Sequence, residues 1–203
     1  ASYRRQRQMC IRDRFLSPAL TMRLIAEEQK LGTMELLMTS PLKDFEIVLG
    51  KFLAALSIII VMIIGTFFYP IILIIFGVPD FGPIFTGYLG LILYSSATLS
   101  VGIFASSLSS NQLVSLVVGS GILSFLTFID FVSSRVTGVF GTILNELQLG
   151  GSFSLFDSSS FGIAEGGHFA DFARGIINFY DIIFYISISA IFIVLTIFSL
   201  ESR

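Results

Sequence analysis

Few side chains in this chain could do chemistry, and they do not converge. His168 is the only histidine and Cys10 the only cysteine. A zinc site draws on several clustered His, Cys or carboxylate ligands. His168 is followed instead by Phe169, Asp171 and Phe172, the pattern of a helix at an interface. Five serines fall between Ser152 and Ser160, but a hydroxyl nucleophile needs a base and an orienting acid beside it. A phosphate-binding loop needs G-x-x-x-x-G-K-[ST], so that backbone amides cradle phosphate and the lysine neutralises it. The only Gly-Lys pair, Gly50-Lys51, is followed by Phe52, and Phe45 stands where the first glycine belongs. Asp130 is the one carboxylate expected inside a membrane span. Counted from Leu113 at 1.5 Å per residue it lies ~25 Å along its helix, near the far interface, where a solvated helix end accounts for it. The chain is therefore expected to be no enzyme, to hold no metal or cofactor, and to leave any ATP-driven work to another polypeptide.

The elements that carry these residues follow from composition. The 203 residues are 54% hydrophobic and only 13% charged, with a mean hydropathy of +0.90. A soluble domain carries roughly 25% charged residues, and disordered chains are richer still in charge. The formal net charge of -2 offers no basic face for nucleic acid. This predicts an all-α integral membrane protein, a polytopic helical bundle, because an open sheet cannot satisfy its backbone in lipid.

A span needs ~20 mostly apolar residues. Four stretches qualify: about 52–76, 84–106, 113–132 and 182–200. Pro70 should kink the first of them. Residues 16–25 are apolar but too short, and read as the end of a further span whose start is missing, or as a short interfacial helix. Arg23, Lys30, Lys43 and Lys51 surround the segment 26–51, whereas 77–83 has neither lysine nor arginine. The positive-inside rule therefore makes 26–51 cytoplasmic. Alternation then puts 77–83 and 134–181 outside, and 107–112 and the tail inside. In the outer segment, Val139, Phe140, Ile143, Leu144 and Leu147 share one helical face, and an amphipathic pattern resumes over 168–179, so two short surface helices are expected there.

Residues 1–14 differ from the rest. They hold five of the twelve Lys/Arg, and Met9-Cys10-Ile11-Arg12-Asp13 resembles a translated transposon mosaic end from sequencing-library preparation. An assembly artefact is expected, with a basic arm at the membrane surface as the alternative. Residues 15–203 then form one transmembrane domain.

Two patterns point to function. Gly90, Tyr94, Thr98, Gly102 and Ser106 lie four apart on one expected span, and Ser115 and Gly119 do so on the next. Small residues at this spacing let helices approach closely, so these positions are expected to pack helices. The second pattern is the cytoplasmic string Ala26 to Phe52. Two short helices are expected around Ser40-Pro41, the first with Leu36 and Leu37 on one side and Glu35 on the other, the second begun by Asp44 as its cap. Such a helix suits transmission of motion to a cytoplasmic partner, and equally suits cover for the membrane face.

The string PALTMRLIAEEQKLGTMELLMTSPLKDFEIVLGKF, Pro18 to Phe52, resembles the permease subunits of ABC-2 type export systems, nearest the gliding-motility and copper-site-maturation branch. The likeness continues through YPIIL (69–73), PDFGPIFTGYLGLIL (79–93), GIFASSLSSNQ (102–112) and HFADFARGIINFYDIIFYISI (168–188). The resemblance implies six spans, of which residues 16–25 would end the second and the four complete ones would be the third to sixth, the chain being truncated at its N-terminus. It implies a prokaryotic inner-membrane location, a second permease copy or paralogue, and a separate ATPase that binds the ATP. The docking contact would fall on Glu27, Glu28, Gly32, Thr33, Glu35, Leu36 and Leu37. Two other classes stand beside it: a non-transporting anchor or assembly factor, and an ion-coupled secondary transporter, which would call for paired charges or broken helices at mid-membrane.

The topology is checked by reporter fusions. One placed after Arg203 should read cytoplasmic and one inserted at Ser158 external; the reverse at both sites would overturn the orientation.

Overall fold

The computed structural model describes residues 18–21, 24–31, 44–77, 81–133, 149, 168–173 and 175–201. Every regular element among them is a helix. A helical turn at 18–21 precedes α1 (Ala26–Leu31), α2 (Asp44–Gly65), α3 (Phe68–Phe76), α4 (Phe81–Leu108), α5 (Gln112–Ser133), α6 (His168–Ala173) and α7 (Phe179–Glu201). Among the described residues, three stretches are long and apolar enough to cross a membrane: Phe45–Phe76, Phe81–Leu108 and Phe179–Glu201. Helix α5 covers the residues of the third expected span, but its described apolar stretch, Gln112–Leu126, is shorter than the three spanning ones. The protein is an all-α polytopic membrane protein.

Local chemistry sets the boundaries. Pro70 breaks the first span, but at Thr66–Phe67, four residues earlier, where α2 gives way to α3. Proline has no N–H for the Thr66 carbonyl, and its ring crowds that carbonyl. The Thr66 carbonyl accepts instead from the Tyr69 N–H at 3.0 Å and the Tyr88 hydroxyl at 3.1 Å. Asn111 caps α5, its Oδ1 accepting from Leu113 N–H at 3.1 Å.

Two expectations are corrected. The amphipathic pattern over 168–179 is not one helix. It stops at Ala173, and Gly175 turns the chain at φ 87°, a left-handed conformation that suits glycine. Asp171 Oδ2 then accepts from Asn178 Nδ2 at 2.5 Å before α7 begins. The last span also starts three residues early, at Phe179 rather than Ile182, which takes Asp181 into its first turn. Asp130 is thus not the only carboxylate on a span. Residues 1–14, the Ser40-Pro41 break and the outer pattern over 139–147 lie outside the described residues, as does the Asp130 side chain.

The chain divides into two compact units. The first takes residues 1–57, 95–124 and 187–203, the second 58–94 and 125–186. In the first, Ile25, Val48, Ile103 and Leu200 form a buried cluster, with Leu24, Phe52, Ile193 and Ile197 packed against it. In the second, the fully buried Tyr185 lies edge-on to Tyr94 and Phe184, and its hydroxyl donates to the Leu149 carbonyl at 2.6 Å. Thr86 Oγ1 donates to the Phe172 carbonyl at 2.8 Å, holding α6 to α4, and Gly90 faces the Phe172 side chain.

Gly102 lets the helical turn at 18–21 approach α4, since a Cβ there would collide with Thr21 Oγ1. Gly102→Ala should therefore destabilise by about 1–3 kcal/mol, the range for overpacking. Gly121→Ala, where a Cβ meets open space, should be neutral or stabilise by up to ~1 kcal/mol. Thermal unfolding of the purified protein in detergent measures both, and equal effects would contradict the contact.

Candidate coupling site

Helix α1 has six residues, with Glu27 and Glu28 in its first turn and Lys30 in its last. That charge order favours a helix dipole. Six residues are nonetheless far below the ~12–15 that a helix needs to persist alone in water. It must be held by tertiary contacts, and these gather at its base.

The chain enters α1 through a turn at Leu24–Ile25, where Leu24 N–H donates to the Thr21 carbonyl at 3.0 Å. The first N–H groups of any helix lack partners within it. Here both come from fully buried residues. Ile25 N–H and Ala26 N–H donate to one oxygen, Ser106 Oγ on α4, at 3.2 and 3.0 Å. Ser106 thus acts as a cap lent by a residue eighty positions away. The carbonyl side of the turn is held from α2. Lys51 Nζ donates to the Leu24 carbonyl at 2.7 Å and forms an ion pair with Glu28. The Lys51 side chain is 14% exposed and that of Glu28 37%. A cation withdrawn this far from water needs such partners. Between the two attachments, Ile25 is buried in the cluster with Val48 of α2, Ile103 of α4 and Leu200 of α7.

The small-residue pattern divides between the two units. In the first, Gly102 faces Thr21, Ser106 takes the two amides, and Gly119 lies buried against Pro18 and Ala105. Three of the spaced positions therefore face the stretch from Pro18 to Ala26. Thr98 is buried and bonds its own helix at the Ser95 carbonyl, 3.0 Å away. Ser115 is buried, and among the described residues its Oγ has no hydrogen-bond partner. Gly90 and Tyr94 belong to the second unit, where Tyr94 stacks edge-on with Phe169 and Tyr185.

Of the expected docking residues, the structure describes Glu27 and Glu28, both half-buried; Gly32, Thr33, Glu35, Leu36 and Leu37 lie outside the described residues. Glu28 is engaged within the chain by Lys51. Sequence reasoning took Lys51 only as a sign of the cytoplasmic side and Ser106 only as a packing residue. The short string Leu24 to Glu28, with two orphan amides to satisfy, was the available signal for both. The second unit holds an apolar cavity of about 380 Å³ beside the Thr66–Phe67 break, lined by Tyr69, Pro70, Ile84, Tyr88, Leu91 and Phe169 among others.

Residues 15–201 match a family model described as ABC-2 family transporter protein. No curated protein and no solved structure gives a match.

A double-mutant cycle tests the ion pair. With Glu28→Gln and Lys51→Met, the coupling in thermal unfolding should be about 0.5–1 kcal/mol, the upper part of the range for a partly exposed pair. Additive effects would show that the pair contributes nothing.

Proposed function

Because this chain belongs to the ABC-2 family of transporter proteins, over residues 15–201, we propose that it lines an export pathway driven by a separate ATPase docked on its cytoplasmic segment, 26–51. The coarser statement needs no proposal: it is a multi-pass membrane permease component of an ABC transport system. In the finer reading, two permease copies, or this chain and a paralogue, surround the pathway in a prokaryotic inner membrane. The ATPase binds the nucleotide, and the permease contributes motion only. The quoted strings favour the gliding-motility and copper-site-maturation branch within the family.

The observation that carries the coupling reading is how α1 is attached. The Ser106 and Lys51 side chains fix its base to two spanning helices by hydrogen bonds to its backbone and to that of the turn before it. Any helix this short needs anchors, but these anchors lie on two spanning helices, and that suits it to carry load, since rigid-body movement passes through packed, bonded elements and is lost in soft ones. Beyond α1, Leu36 and Leu37 are the apolar anchors for a groove on the ATPase. Glu35 is a rim charge that sets register.

Replacing Leu36 and Leu37 together with Ser should release the ATPase while membrane insertion stays intact. Glu35→Lys should weaken docking less, because a rim charge typically contributes under ~1 kcal/mol. Co-purification of the tagged permease with its ATPase in mild detergent reads both. Undiminished recovery with the double variant would remove the docking assignment.

A further inference from the structure

The turn at Leu24–Ala26 is held on both its polar sides by different spanning helices. The N–H side goes to α4: Ile25 and Ala26 both donate to Ser106 Oγ. The C=O side goes to α2: the Leu24 carbonyl accepts from Lys51 Nζ, which also pairs with Glu28 one turn into α1. Pro18, Thr21, Ile25, Ala26 and Ser106 are all fully buried, so on the α4 side no water can replace the Ser106 hydroxyl. A lone turn of this kind is soft, because two hydrogen bonds within a short segment unwind readily. Cross-linked to α2 and α4 at once, it can rotate only by carrying both helices with it.

We propose that Ser106 and Lys51 are positioning residues that make this turn a rigid pivot, so that force applied to α1 moves the cytoplasmic ends of α2 and α4 together instead of unwinding the chain between them. The functional part of this inference rests on the ATPase-coupled reading above. The mechanical part does not, because it concerns how α1 is joined to α4. Ile25 adds a shape constraint. It is set among Val48, Ile103 and Leu200, so that sliding α1 along α4 would draw a buried side chain out of its cluster.

Two readouts on the full-length permease separate these parts. The first needs no ATPase. With Cys10→Ser to remove the one thiol of the sequence, spin labels go on Leu31→Cys and Leu108→Cys, positions 68% and 43% exposed at the ends of α1 and α4. Electron–electron distance measurements should give one narrow distribution in the parent. In Ser106→Ala, and further in Ser106→Ala/Lys51→Met, it should broaden. The second readout is ATP hydrolysis by the co-purified complex in proteoliposomes. In the double variant the ATPase should still co-purify, since the docking residues are intact. Its stimulation by the permease should fall about tenfold, a factor in line with leaving two buried amides without an acceptor. Lys51→Arg, which keeps the charge and the reach, should restore most of it to Lys51→Met.

A narrow distribution that survives in the double variant, or stimulation that stays at the parent level, would overturn the pivot. Loss of ATPase binding in the double variant would also overturn it, by showing that these residues serve docking. Should the parent permease recruit no ATPase at all, the ATPase-coupled reading fails, while broadening in Ser106→Ala still upholds the pivot.

Discussion

A backbone amide or carbonyl shut away from water, whether by protein or by lipid, needs another partner, so a place where a helix stops there needs a side chain to take the freed groups. The side chains doing so here can be named. Ser106 takes two amides and Lys51 one carbonyl at the Leu24–Ala26 turn. Tyr88 takes the Thr66 carbonyl at the break between α2 and α3. Thr86 takes the Phe172 carbonyl, and Tyr185 that of Leu149. Each of these side chains belongs to a spanning helix, and three of them, Thr86, Tyr88 and Ser106, belong to α4.

That concentration explains the character of α4. Of the three long apolar stretches it is the most enclosed: 56% of its most apolar part is buried, against 6% for Phe45–Phe76 and 17% for α7. A helix enclosed in this way must present small residues where backbones come close, as at Gly90 and Gly102, and short hydroxyls where a neighbour has an unpaired group, as at Thr86 and Ser106. The polar atoms that might have been read as a substrate path are largely committed to holding the backbone. Phe45–Phe76, by contrast, exposes Val61, Ile64, Phe68 and Ile75, which costs nothing in a solvent of acyl chains.

The same economy bears on transport. Where each short segment is tied to two or more spans, a displacement has few soft places in which to be absorbed. Alternating movement of a permease draws on this property, because packed interfaces switch between arrangements and do not deform continuously. The buried cluster of Ile25, Val48, Ile103 and Leu200 joins the approach to α1 with α2, α4 and α7 in a single packed node.

The fold class, the placing of most span boundaries and the break near Pro70 were legible in the sequence. They depend on local properties: the length of an apolar run, the missing N–H of proline, the excess of lysine and arginine in one loop. Family membership was legible as well, because it rides on ordered strings such as Pro18 to Phe52. The spacing of Gly102 and Ser106 showed that one face of a helix was small, but not what would lie against it. Lys51 announced a side of the membrane, not the Leu24 carbonyl. The extent of the helix beginning at His168 was overestimated because the pattern of apolar residues ran on past Gly175, where the backbone turns. Asp181 was missed by a boundary misplaced by three residues. For Lys51 and Ser106 the deciding partner is distant in the chain, twenty-seven residues between Lys51 and Leu24, eighty between Ser106 and Ala26. Only the tertiary structure could pair them, since periodicity fixes the face a residue occupies while packing alone fixes the neighbour it meets.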